Sequence, residues 1–225
     1  MAFRVSDGRE MWRWAGDAPA VGASPVIGTI ASQVQLVFKT MRHIAGFDPL
    51  SGKELWRIPY KVPTVNTIVT PLLIGDLLVT SDDDLGAKAW RIEREGGRWR
   101  ARELWGTRDV SLFMNSPVLV AGVVMGFSQF RKGQLFLMDP ARGEVVWCGP
   151  PRSGEHAAIL AWGDQALVFS EDGFLAVGAV KQRAFHLLRR YRLGDSGAWA
   201  HPAVAGNRIV VKNGTRLAVY EITGQ

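Results

Sequence analysis

The sequence predicts an all-β fold built from repeated four-stranded antiparallel blades, the architecture of a β-propeller. A small residue or Thr, usually followed by Pro and an aliphatic pair, recurs around positions 25, 71, 117, 158 and 202, at spacings of 46, 46, 41 and 44 residues. Tryptophans at 12, 56, 105 and 147 keep a similar period, with spacings of 44, 49 and 42, and Tyr191 follows after another 44. Such a repeat, made of short β-rich runs separated by turns, is typical of a propeller blade.

Within each unit the strands follow one another in a fixed order. The proline-type marker precedes a turn pair and a β-rich run, and the turn pairs are Gly75-Asp76, Ala121-Gly122, Gly163-Asp164 and Gly206-Asn207. A second turn leads to a third run, and a further turn leads to the fourth. This order predicts complete blades at 24–60, 70–107, 116–150 and 157–193, and three strands without a fourth at 201–222.

The turn before the fourth strand carries the most specific local pattern. In DPLSGKELW, Asp48 can bond its own backbone and Pro49 fixes φ, while Gly52 accepts a positive φ. The turn therefore directs Trp56 towards a neighbouring element, where an indole can bury on the order of 150 to 250 Å². We interpret the recurring tryptophans as structural side chains that fasten one blade to the next.

The stretches GFDPLSGKELW and LFLMDPARGEVVW resemble the repeat of the pyrroloquinoline-quinone-like (PQQ-like) propeller superfamily. That superfamily includes quinoprotein dehydrogenases and the outer-membrane assembly lipoprotein of the BamB type. Weaker copies extend the resemblance over essentially the whole chain, with Arg4 in place of the first Asp, an EREGGRW insertion within 90–105 and Tyr191 in a fourth unit without the Asp turn. The resemblance implies seven or eight blades and a bacterial cell-envelope location, although we find no signal peptide in this chain.

Two arrangements of the blades stay open at this point. Residues 8–14 could supply the fourth strand of the last unit and close a five-bladed ring, since closure removes exposed sheet edges. Residues 1–6 then leave one strand over. Alternatively, residues 1–225 are a single PQQ-like domain that forms a partial propeller, the carboxyl-terminal part of a longer one, and an open ring would allow pairing with a second copy.

Composition and charge favour a globular chain without a nucleic-acid or membrane-spanning segment. Hydrophobic residues make up 47% of the chain, and the formal net charge is +6. The basic stretch RWRAR at 98–102 alternates with Trp99 and Ala101, as the solvent face of a strand does. Residues 111–130 lack charge but are interrupted by Pro117 and several polar residues, so we predict no transmembrane segment there.

No catalytic residue, cofactor or metal site is predicted. Related quinoproteins hold the quinone beside calcium, and we find neither their adjacent cysteines nor a match to their catalytic Asp or calcium ligands. Asp82, Asp83 and Asp84 lack the spacing of a calcium loop and are interpreted as a solvated turn. Cys148 is interpreted as packed on an outer strand.

We therefore hypothesise a non-catalytic propeller whose surface binds a protein or peptide partner, with a role in cell-envelope assembly suggested by the resemblance. The alternative is a PQQ- or quinone-dependent oxidoreductase, active or vestigial, and a third hypothesis is a binder of nucleic acid or the envelope surface. Trp199 and His201, at the start of the innermost strand of the last unit, are the candidate binding residues.

Overall fold

The computed structural model describes residues 1–18, 22–62, 68–83, 85–194, 200–213 and 215–222. The chain divides into two compact units, Met1–Ser111 and Leu112–Gln225. Strands account for all of the regular structure in the described residues except one short 3₁₀ turn at Phe130–Lys132. The fold is therefore all-β, as the sequence predicts.

The first unit contains an amino-terminal hairpin and two four-stranded antiparallel sheets. The hairpin is β1 (Ala2–Phe3) and β2 (Glu10–Trp12). The first blade is β3 (Val26–Ile30), β4 (Gln33–Lys39), β5 (His43–Phe47) and β6 (Glu54–Pro59). The second blade is β7 (Leu72–Ile74), β8 (Leu77–Asp82), β9 (Gly86–Glu95) and β10 (Arg98–Thr107).

The second unit contains two further four-stranded sheets and a three-stranded one, again antiparallel. The third blade is β11 (Val118–Val120), β12 (Val123–Ser128), β13 (Gln134–Met138) and β14 (Val145–Cys148). The fourth blade is β15 (Ala157–Trp162), β16 (Gln165–Ser170), β17 (Phe174–Lys181) and β18 (Ala184–Arg192). The carboxyl-terminal sheet is β19 (Ala203–Ala205), β20 (Arg208–Asn213) and β21 (Arg216–Glu221).

The four predicted blades are confirmed, each with its strands hydrogen-bonded in chain order. The uncharged stretch at 111–130 supplies β11 and β12, and no helix in the described part of the chain has the length and apolar character to cross a membrane. The insertion in the second blade lengthens β9 and β10 to ten residues each. On β10, Arg98, Arg100 and Arg102 are exposed while Trp99 and Ala101 are half-buried, as the alternation predicts.

The Asp-to-Gly turn forms the same backbone structure in its three copies. The Asp48 carboxylate accepts hydrogen bonds from the Ser51 amide and hydroxyl, and the Gly52 amide donates to the Asp48 carbonyl oxygen at 2.9 Å. The Asp139 turn repeats the pattern. In the amino-terminal copy the Gly8 amide donates to the Arg4 carbonyl oxygen at 2.8 Å. The turn thus survives replacement of the Asp because its backbone bonds need no particular side chain there.

The tryptophan after each of two turns packs where only glycine leaves room. The Trp12 indole donates to the Pro49 carbonyl oxygen at 2.9 Å and covers Gly52, where a Cβ would lie 2.5 Å from the ring. Trp12 therefore fastens the amino-terminal hairpin to the turn of the first blade, as predicted. Trp56 instead covers Gly46 of its own blade and donates to the Gln35 side chain at 2.7 Å.

Apolar clusters form where the faces of consecutive blades meet. In the first unit, Ile44 and Trp56 of the first blade pack with Leu78 and Trp90 of the second. In the second unit, one cluster joins the third and fourth blades and another joins the fourth blade to the carboxyl-terminal sheet. Within each unit, apolar packing between the faces of consecutive sheets thus holds these sheets together.

The terminal strands form incomplete sheets in the described part of the chain. Residues 8–14 contribute Glu10–Trp12 to the two-stranded sheet of β1 and β2, and β19–β21 form the three-stranded one. Tyr191, which takes the tryptophan position in the fourth blade, is 49% exposed. It therefore lacks the buried position of Trp56.

We predict that Trp56→Ala lowers the free energy of unfolding by about 3 to 5 kcal/mol. The substitution opens a cavity between two blades and leaves the buried Gln35 side-chain oxygen without the indole N–H that donates to it. Urea unfolding followed by circular dichroism measures this loss. Leu50→Ala, at an 85% exposed position in the same unit, is the control and should change stability by no more than about 0.5 kcal/mol. Equal effects of the two substitutions would contradict the packing role of Trp56.

Candidate functional site

A buried ion pair joins the first and second blades. Lys39, the last residue of β4, and Asp82, the last residue of β8, form a salt bridge with side chains that are 0% and 1% exposed. The Lys39 ammonium also donates to the Thr80 hydroxyl and to the Ser81 carbonyl oxygen, both at 3.3 Å. Its Nζ lies 5.2 Å from the centroid of the Tyr60 ring.

Burial has the largest effect on the pKa values of Lys39, Asp82 and Tyr60. Burial lowers the pKa of Lys39, and the neighbouring Asp82 carboxylate opposes that shift. Burial raises the pKa of Asp82, against the opposing effect of Lys39. Burial and the Asp82 carboxylate both raise the pKa of Tyr60. These side chains are enclosed between two blades, so the cluster is a structural element of the core.

The prediction of a solvated turn at residues 82–84 is wrong for Asp82. Its side chain points into the core because β8 continues to this residue and its partner Lys39 comes from the neighbouring blade. Asp83 is half-buried, and Asp84 lies outside the described residues. No group of three or more His, Cys, Asp or Glu with a metal-binding arrangement occurs in the described ranges.

A second polar cluster fastens the segment before the first blade to the β4–β5 turn. The buried Asp17 carboxylate accepts hydrogen bonds from the Thr40 hydroxyl at 2.5 Å and from Nε of Arg42 at 2.8 Å. Nδ1 of His43 lies 2.8 Å from the same carboxylate. Desolvation opposes ionisation, but the hydrogen bonds from Thr40, His43 and Arg42 outweigh it and hold the pKa of Asp17 well below its usual range.

In the second unit, a groove of about 740 Å³ runs between the third and fourth blades. Its apolar wall includes Trp147 of β14 and Phe185 of β18, whose ring centroids are 6.1 Å apart. Phe174, Leu187 and Arg190 line the fourth-blade side. The groove therefore offers aromatic surface with charged residues of both signs in its lining, Arg152 and Arg190 together with Glu171 and Asp172.

The Arg190 guanidinium has two partners beside this groove. It lies 3.8 Å from the centroid of the Phe174 ring and pairs with Asp172 at 3.1 Å. Arg192 stands 5.4 Å from the same ring. A guanidinium group stacked on an aromatic face still has its N–H donors in the plane of the group, where they can bind carboxylates.

A cavity of about 500 Å³ lies on the opposite face of the fourth blade, against the carboxyl-terminal sheet. Aromatic and aliphatic side chains line it, including Trp162, Tyr191, Leu193 and Tyr220. The Tyr220 hydroxyl donates to the Leu193 carbonyl oxygen at 2.6 Å, which ties the two sheets together. The outer strand β18 thus separates two apolar concave surfaces.

Of the two predicted binding residues, the structure describes His201 and not Trp199. Trp199 lies outside the described residues. His201 is exposed just before β19 and does not line the groove or the cavity described above. Cys148, predicted to be packed, is exposed on β14, so that interpretation is wrong.

Sequence reasoning missed the arginines of β18. The basic stretch it singled out, 98–102, lies on a strand with Glu103 and opposite Glu93 and Glu95, and Arg100 and Arg102 pair with the two opposite glutamates. By contrast, the nine residues of β18, AFHLLRRYR, contain no acidic residue. This one-sided composition on a predicted outer strand is the signal that could have identified the surface.

Comparisons with known proteins agree with this architecture. The family model described as outer membrane protein assembly factor BamB matches residues 1–149. The crystal structure of BamB from Moraxella catarrhalis superposes with a TM-score of 0.66 at 15% identity, covering 93% of this chain. The chain spans 62% of the length of that structure. No curated protein sequence gave a significant match.

Two designed proteins share the fold at lower similarity. The computationally designed Ika4 protein gives a TM-score of 0.51 at 16% identity, covering 75% of this chain and all of Ika4. The designed Ika8 protein gives 0.50 at 15% identity, covering 91% of this chain and 70% of Ika8. At these identities the likeness shows a common fold.

We predict that Lys39 and Asp82 are strongly coupled in stability. Lys39→Met or Asp82→Asn alone leaves one buried charge without its partner and should cost about 3 to 5 kcal/mol. The double variant should cost less than the sum of the two single losses. A double-mutant cycle by urea unfolding measures this coupling, and additive losses would contradict the buried pair.

We predict that Asp17 makes stability depend on pH in the acidic range. Because its folded-state pKa is depressed, its contribution is present above the unfolded pKa of about 3.9 and is lost as the pH falls through the folded value. The stability of Asp17→Asn should therefore decline less than that of the wild type between pH 5 and pH 2, as measured by urea unfolding at each pH. Asp7→Asn, with a half-exposed carboxylate, is the matched control and should follow the wild type. Parallel curves for all three proteins would rule out this role for Asp17.

Proposed function

Since this chain belongs to the BamB family of outer membrane protein assembly factors, we propose that it is a non-catalytic β-propeller scaffold that binds a protein or peptide partner in the cell envelope. The proposal treats residues 1–225 as one PQQ-like domain, because the same strand pattern runs through both compact units. Family membership supports the envelope location.

The aromatic groove of the second unit is the observation that carries the proposal. Trp147, Phe174, Phe185 and Leu187 gather in one concave surface, and Arg190 lies at its edge. Aromatic residues and arginine are the types that contribute most to binding energy at protein interfaces. A groove of this size accepts a few side chains of a partner and leaves the hydrogen-bonded core of the blades unchanged.

The groove is accessible to a partner protein, whereas the Lys39–Asp82 cluster is not. Lys39 and Asp82 are enclosed between blades and stabilise the fold. The groove opens to solvent and presents half-buried aromatic side chains. Binding at the groove therefore needs no rearrangement of the strands, which favours a scaffold with a preformed surface.

We predict that a photo-crosslinker placed in the groove captures a discrete partner in intact cells. Phe174→p-benzoylphenylalanine preserves the aromatic shape of a groove residue and should give one predominant adduct in the envelope fraction. The same photoreactive residue at position 50, exposed in the first unit, is the control and should give no such adduct. Mass spectrometry identifies the product, and identical patterns from both positions would contradict the proposed binding surface.

A further inference from the structure

The outer strand of the fourth blade differs from the outer strands of the other blades. All seven residues from His186 to Arg192 are exposed, whereas β6 has two buried residues and β14 is mostly half-buried. Leu187, Leu188 and Tyr191 are 58%, 46% and 49% exposed. Exposed apolar side chains on an edge strand mark either an interaction site or an aggregation hazard.

The other edge of β18 joins no strand in the described part of the chain. Its sheet has the order β15-β16-β17-β18, so among the described strands β18 pairs with β17 alone. A register shift between Val177 and Gly178 marks a bulge near the middle of the β17–β18 pair. The strand then continues in regular pairing from Arg189 to Arg192. This second half gives a short, regular edge to which an extended peptide can add.

Side chains of β18 alternate between the two apolar concave surfaces. Arg190 pairs with Ala176 and Arg192 with Phe174, and both partners line the groove. Tyr191 pairs with Leu175, and both line the cavity on the opposite face. An added strand would send its own alternate side chains to these same two faces, because successive strand residues point to opposite sides.

Charge selects the occupant of this edge. Arg189, Arg190 and Arg192 give β18 three arginines and no acidic residue. A second copy pairing along this edge would bring like charges together, which is destabilising. On β10, Arg100 and Arg102 pair with glutamates of the same hairpin, and Glu103 stands on the strand itself. On β18, Arg190 pairs with Asp172 of the turn before β17, but the strand itself contributes no carboxylate. The complementary partner for β18 is therefore an acidic strand.

We propose that β18 accepts an acidic, extended segment of a partner protein as an added strand, with apolar side chains entering the flanking groove or cavity. The inference rests on the proposed scaffold function and gives its partner a chemical description. Main-chain hydrogen bonds provide the pairing, and the arginines select for carboxylates.

A labelled peptide tests this pairing on the whole chain. The probe is a fluorescein-labelled nine-residue peptide of alternating Glu and Val, and the control peptide replaces Glu with Lys. Fluorescence anisotropy should show binding of the Glu peptide that weakens with salt, and no binding of the Lys peptide. Hydrogen exchange of the complex should show slower exchange in β18 and unchanged exchange in β6 and β10.

Charge reversal provides the matched variants. Arg189→Glu combined with Arg190→Glu should weaken peptide binding at least tenfold. Arg100→Glu combined with Arg102→Glu, on the outer strand of the second blade, should change it less than twofold. Circular dichroism and urea unfolding confirm that each double variant is folded.

Three results would overturn the inference: no binding of the Glu peptide, equal loss in both double variants, or binding without slower exchange in β18. Binding of anionic vesicles or duplex DNA through Arg189 and Arg190, without that change in β18, would point to a different partner and also overturn it. If the Phe174 crosslink survives in the Arg189→Glu, Arg190→Glu variant, the scaffold function stands and only the strand pairing fails.

Discussion

Face-to-face packing of the blades is the interaction on which this structure depends. A four-stranded sheet pairs the backbone groups of its inner strands internally, but its apolar faces must be covered by another layer, here another sheet. Leu78 of the second blade and Ile159 of the fourth are almost completely buried in clusters that include side chains of the preceding blade. The central strands can therefore be strongly apolar, while the outer strand β18 is exposed from His186 to Arg192 and can contact a partner.

The same packing explains a charged pair in the core. Lys39 and Asp82 come from consecutive blades and neutralise each other where neither contacts water. A pair of this kind adds little net stability, because desolvation offsets the attraction. The pair instead favours one alignment of the two blades, since other alignments would leave the two charges buried and apart.

The repeat made the fold predictable from the sequence, whereas the binding surface was much less so. Turn pairs and tryptophan spacing predicted all four blades, because turn conformation and strand periodicity depend on residues that are close together in the sequence. The burial of Asp82 could not be found in this way, since its partner is 43 residues distant and belongs to another sheet. The basic composition of β18 can be read from the sequence. The two concave surfaces beside it cannot, because they form only when three sheets pack together.

Native-state hydrogen exchange resolved by strand tests the packing account most directly. Among the strands of the four blades, the account predicts the slowest exchange in β8, β12 and β16, which lie within sheets and are mostly buried, and the fastest exchange in β18. Exchange that is uniform across the four strands of each blade, or slower in β18 than in β16, would contradict the claim that inter-blade burial holds this protein together.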